Sequence, residues 1–139
     1  IIDTGWIHPL SDEETIYLRT NLDTDESFKQ AAIKSGELNI HAFRRYLYHW
    51  LMQNTHVCQQ PRLFVTWKEQ TNEGLPLHIH VFINDTKWEA FEWQQSEITE
   101  HVIRSLDMFN LQLYQSPSGY DASNSNIHLT DVEANYRKV

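Results

Sequence analysis

The densest patterning in the chain lies over residues 62–84, where two runs of strand-forming residues flank a polar stretch punctuated by Gly74 and Pro76. This is the pattern of an antiparallel hairpin. In its second run Leu77, Ile79, Val81 and Ile83 alternate with His78, His80 and Phe82, so a period of two puts both imidazoles on one face of a strand. Elsewhere Ile40, Phe43, Leu47, Trp50 and Leu51 share one stripe at helical spacing and predict an amphipathic helix over 39–57, capped by Asn39 and ended by Gln59-Gln60-Pro61. Trp88, Phe91, Ile98, Val102 and Leu106 predict a second long helix over 87–108, behind a cap supplied by Asn84 and Asp85. Residues 25–34 read as helix, residues 15–19 (TIYLR) as a short strand, and the alternation over 109–115 as a half-buried strand. Residues 116–126 are loop by composition, and 127–129 a short strand or extended entry. Thr130 and Glu133 then fit a capping box that opens a helix carrying Tyr136. The expected fold class is α+β, a small central antiparallel sheet with helices packed on its faces.

Composition narrows the class. A chain of 139 residues with 40% hydrophobic content suits a single domain over 1–139 with a real core. It opens with Ile1-Ile2 and stops inside a predicted helix, and so reads as a piece of a longer protein. Cys58 stands alone, which excludes an internal disulfide framework and points to a reducing, intracellular setting. No apolar run approaches the roughly 20 residues of a spanning helix, so no membrane partner is expected. The net charge of −8 runs against indiscriminate phosphate binding, but much of the acidity falls in the first forty residues. Arg44, Arg45, Arg62, Lys68, Arg104, Arg137 and Lys138 remain for a local basic strip, although the plainer reading of Arg44-Arg45 is a solvated helix face.

The chemistry centres on the paired histidines. Same-face neighbours on a strand lie roughly 6.6 to 6.8 Å apart, close enough for both imidazoles to lean toward one ion. Glu69, at the end of the partner strand, is the candidate third ligand; its neighbour Lys68 cannot ligate a cation. Two imidazoles and a carboxylate leave coordination positions open for a phosphate oxygen, where charge grows during phosphodiester cleavage. Oxygen-rich substrates favour Mg²⁺ or Mn²⁺, and the imidazoles tip the choice toward Mn²⁺. Each residue also has a plainer role: the histidines within a polar network, Glu69 as a solvated strand end, Tyr136 as a packing residue with Tyr114 and Tyr120 as rivals, and the five tryptophans in core or edge positions. Base stacking on an exposed tryptophan is the minority alternative.

The His-hydrophobic-His strand, the acid on the preceding strand and the Tyr on a later helix together resemble the HUH endonuclease superfamily of rolling-circle and rolling-hairpin replication initiators. Within it the chain is most similar to the N-terminal nuclease domain of the parvovirus (densovirus-like) non-structural replication protein. The resemblance spans about residues 40–138, and Tyr136 stands 58 positions after His78. It implies an HUH nuclease fold in which Glu69, His78 and His80 bind a divalent metal. Tyr136 would attack a phosphodiester, giving a covalent 5′-phosphotyrosine link and a free 3′-hydroxyl. Lys68, Arg137 and Lys138, nearest the site residues in sequence, are the expected DNA contacts. The implied partner is single-stranded or hairpin DNA at a viral replication origin in the host nucleus, with oligomerisation through a helicase domain beyond this chain. Val139 departs from the family, which usually has a Lys a few residues after its Tyr. Two other classes compete. A histidine-triad nucleotide hydrolase would want a third His at position 82, where Phe82 stands; a catalytically inactive binding module of the same fold would recognise DNA or a protein.

Overall fold

The computed structural model describes residues 1–54, 57–58, 63–83 and 87–115. The first helix begins at Ser11. Its hydroxyl accepts from the Glu14 N–H at 3.1 Å while the Glu14 carboxylate accepts from the Ser11 N–H at 2.9 Å, a capping box that launches α1 (Asp12–Asn21). The expected strand over 15–19 is therefore corrected to helix. Thr15, Leu18 and Leu22 recur at intervals of three and four and are buried, whereas Ile16 and Tyr17 face outward. Capping plus one buried stripe outweighs the β preference of Thr, Ile and Tyr.

The next helix, α2 (Glu26–Ala32), lies within the expected span, with the Asp25 side chain accepting from the Phe28 N–H. In α3 (Asn39–Gln53) the predicted stripe faces the core: Phe43, Leu47 and Leu51 are buried, and Ile40 and Trp50 pack partly against them. Two details differ from the sequence reading. The N-cap is Leu38, without a side-chain cap bond, and the helix ends at Gln53, so Val57 belongs to strand β1 (Val57–Cys58). Asn39 is instead a fully buried tie. Its Oδ1 accepts from the His8 N–H at 3.1 Å, and its Nδ2 donates to the Trp6 and Phe109 carbonyls at 3.0 Å each, joining the N-terminal segment, α3 and the end of the last helix.

That last helix, α4 (Trp88–Met108), has Lys87 at its N-cap; Asn84 and Asp85 lie outside the described residues. Ile98 and Leu106 are buried and Val102 partly so; Phe91, although exposed, lines a cavity with Ile79 and Ile83, whereas Trp88 points to solvent, so the apolar stripe is fully buried only in the later turns. Asn110, with φ of 55°, turns the chain out of the helix. On either side of it Phe109 and Leu111 are buried, and within 109–115 only Leu113 enters a β-bridge, to Ile2. The expected strand over 109–115 is thus reduced to one bridge, its alternation serving core packing after a helix end. The elements predicted beyond residue 115, including the Thr130–Glu133 capping box, lie outside the described residues.

The hairpin forms as expected. Strand β2 (Phe64–Trp67) pairs antiparallel with β3 (Leu77–His80), with Phe64 opposite His80 and Thr66 opposite His78. Strand β4 (Phe82–Ile83) pairs antiparallel with β1. Thr71 and Gly74 exchange backbone hydrogen bonds in the turn, and next to it Ile2 and Leu75 exchange two more, of 2.8 and 2.9 Å. Gly74 is required here twice over: its φ is +136°, and a Cβ would run into the Ile2 carbonyl.

The architecture is mixed α and β, with every strand among the described residues pairing antiparallel. Val65 is buried on the core side of β2, and the Trp67 ring lies 6.4 Å from that of Phe43 on α3. On the same side of β3 and β4, Leu77, Ile79, Val81 and Ile83 line a cavity of about 440 Å³ with Ile98 and Val102 of α4. No helix among the described residues is long and apolar enough to cross a membrane.

Candidate functional site

Helices and apolar side chains cover one side of the hairpin, so the residues of opposite parity are left on an outer face. The β2–β3 register puts Phe64 and Thr66 on that face with His78 and His80, while Val65, Trp67, Leu77 and Ile79 point to the core. The Lys68 N–H donates to the Pro76 carbonyl at 2.9 Å, which extends the ladder one step. Lys68 therefore shares the parity of Thr66 and the imidazoles, and Glu69 falls on the opposite parity. Both are exposed.

The His78 and His80 rings are 6.1 Å apart and 13° from parallel. Phe64 lies 6.0 Å from His80, and Phe82 meets His80 edge-on at 5.3 Å. The outer face is thus a row of four aromatic rings, and its two phenylalanines remain 47% and 44% exposed. The structure brings together two of the three predicted metal ligands. Among the described residues no three His, Cys, Asp or Glu side chains form a group that could hold a metal ion, so Glu69 is not gathered with the imidazoles. The donor set fits a divalent ion in its two nitrogens and needs a further oxygen donor. Tyr136, Arg137 and Lys138, and the rival Tyr120, lie outside the described residues; Tyr114 is partly buried and donates its N–H to the Ile1 carbonyl.

Two other histidines carry structural rather than ligating roles. His101 on α4 stacks on Trp50 at 3.8 Å and 7°, and its Nε2 lies 3.0 Å from the Tyr46 hydroxyl. Burial, with a smaller push from Arg104, lowers its pKa to about 4. His8 pairs with Glu14 at 2.7 Å. The hydrogen bond to Glu14 raises the His8 pKa despite partial burial. Burial presses the Glu14 carboxyl upward, but bonds from the Ser11 N–H, His8 and Asn110 outweigh it and hold the carboxyl at about 2.

The sequence reading did not include Phe64 on this face. The signal was present, because Phe64 stands four residues before Lys68 and so shares its parity, just as Phe82 shares that of His78 and His80. Trp88 and Trp93 are 72% and 67% exposed, against the core or edge positions expected of the tryptophans. No protein-family model matches the chain. No solved structure matches it significantly.

Proposed function

We propose that the chain is an HUH-type nuclease domain, a metal-dependent nickase of single-stranded DNA acting in the initiation of viral DNA replication. The observation that carries this reading is the nearly parallel His78–His80 pair on the face of the hairpin opposite its core side. In this reading His78 and His80 would hold a Mg²⁺ or Mn²⁺ ion, with Glu69, just past the last ladder residue, as the third ligand. When bound, the ion supplies electrophilic stabilisation of the scissile phosphate. Tyr136 attacks phosphorus through its phenolic oxygen, the phenol proton leaves, and the bond to the 3′ oxygen breaks, so the 5′ phosphate stays on the tyrosine and a 3′-hydroxyl is released. Lys68, Arg137 and Lys138 contact the DNA backbone. The origin, the helicase partner and a site of action in the host nucleus follow from the same family reading.

A second reading has its own observation. Glu69 is on the wrong parity for the imidazole face and is not grouped with it among the described residues, as expected of a module that binds DNA or a protein without cutting. The two readings separate on strand cleavage: the nickase produces a new 3′-hydroxyl end on incubation with Mg²⁺ or Mn²⁺ but not in EDTA, and Glu69→Gln and His78→Ala abolish it. Absence of any such end with either ion, alongside retained oligonucleotide binding, selects the module.

A further inference from the structure

We propose that Phe64 and Phe82, which flank His80 on the outer face of the hairpin, form a base-stacking platform for single-stranded nucleic acid. This rests on the nucleic-acid reading of the same face and assigns it two residues which that reading does not use.

The two phenylalanines are nearly half exposed on a sheet face that none of the described helices covers, and each rests against the His80 ring, at 6.0 and 5.3 Å. Such contacts hold the rings in place while leaving aromatic surface free. Every base has a π-face, so stacking on a fixed aromatic ring is tolerant of sequence and suits a single strand rather than a duplex. The charge pattern points the same way. In a chain of net charge −8, the ladder positions on this face are Phe64, Thr66, Lys68, Pro76, His78 and His80, followed by Phe82, with one lysine and no carboxylate. A phosphate backbone is accepted there by Lys68 while bases lie on the rings. An apolar protein surface would instead meet Thr66, Lys68 and two imidazoles between the phenylalanines.

The test uses the 139-residue chain in EDTA, so that binding is read without cleavage, with a fluorescent oligothymidylate and an abasic strand of equal length as probes. Phe64→Ala and Phe82→Ala are each expected to weaken oligothymidylate binding by about 5- to 100-fold, to leave abasic-strand binding unchanged, and to keep the wild-type melting temperature; Phe64→Trp is expected to retain affinity. Unchanged oligothymidylate affinity in both alanine variants, with Mn²⁺-dependent nicking intact in the wild type, overturns the platform and leaves the nickase standing. Equal loss on both probes reduces the rings to a structural role. A sedimentation shift in Phe64→Ala without loss of oligonucleotide affinity assigns the face to a second copy of the chain. A wild-type protein that neither binds nor cuts any strand removes platform and nickase together.

Discussion

His78 and His80 stand 6.1 Å apart with their ring planes 13° from parallel, two residues along one strand and on its outer side. Parallel imidazoles at that separation suit a shared ion better than a shared proton, since no hydrogen bond links them. Either His→Ala change is expected to weaken Mn²⁺ binding by at least about 10-fold, the lower end of the range for losing a metal-site interaction. Stability should fall by no more than about 1 kcal/mol, because the face is outside the core. Titration calorimetry checks the first and denaturant unfolding the second; unchanged Mn²⁺ affinity in both variants would remove the pair as a metal site.

The pH dependence of stability follows from three groups. His101 has a folded pKa of about 4, below its ordinary 6.5, so the unfolded chain takes up a proton first and stability falls as pH drops from 6.5 toward 4. Glu14, held at about 2, adds stability above its ordinary 4.5 that is lost as pH falls through that interval toward 2. His8 is raised, so its contribution is complete below 6.5 and is lost as pH rises through the folded value. Unfolding free energies measured from pH 7 to 4 are expected to decline less steeply in His101→Gln than in the wild type. Parallel declines in the two proteins would contradict a buried, neutral His101.

Asn39 ties three segments with one amide. Removing it leaves the Phe109 carbonyl and the His8 N–H without their partner and the Trp6 carbonyl with the His8 ring nitrogen alone, and buried polar groups left unmatched are costly. Asn39→Ala is expected to lose about 2–4 kcal/mol of stability, and Asn39→Asp to lose a comparable amount, since a carboxylate cannot donate to either carbonyl. A loss below about 0.5 kcal/mol for Asn39→Ala in urea unfolding would show that the tie is not needed.

Gly74→Ala is expected to cost at least about 2 kcal/mol, from the positive φ and the collision with the Ile2 carbonyl. Because Ile2 bridges to both Leu75 and Leu113, the damage should spread to the pairing of residues 1–3. Amide exchange checks this: protection at Ile2 and Leu75 should fall while that of α3 persists, and uniform protection would contradict it.

Much of this was legible in the sequence where one periodicity acted alone. The alternation through Leu77–His80 gave the strand, the face and the paired imidazoles, and the stripe through Phe43, Leu47 and Leu51 gave α3. Legibility failed where two local signals competed. Thr15, Ile16 and Tyr17 favour a strand by propensity, yet Ser11 and Glu14 close a capping box four residues upstream and the helix wins. Asn39 looked like a cap because Asn before an apolar stripe usually is one; only the fold shows the three partners that bury it. The parity of Glu69 depends on how far the ladder runs past Trp67, which the Lys68–Pro76 hydrogen bond sets and composition does not.

This face and Tyr136 are proposed to cut DNA together through a covalent intermediate. The most direct measurement is a denaturing gel of the chain incubated with a 3′-labelled single strand and Mn²⁺, followed by mass-spectrometric mapping of any labelled protein. A protein-linked band is expected that needs Mn²⁺, is absent in His78→Ala and Tyr136→Phe, persists in Tyr114→Phe and Tyr120→Phe, and maps to the peptide containing Tyr136. Cleavage that yields a free 5′ phosphate with no protein-linked band, or an adduct that forms equally in EDTA, would contradict it.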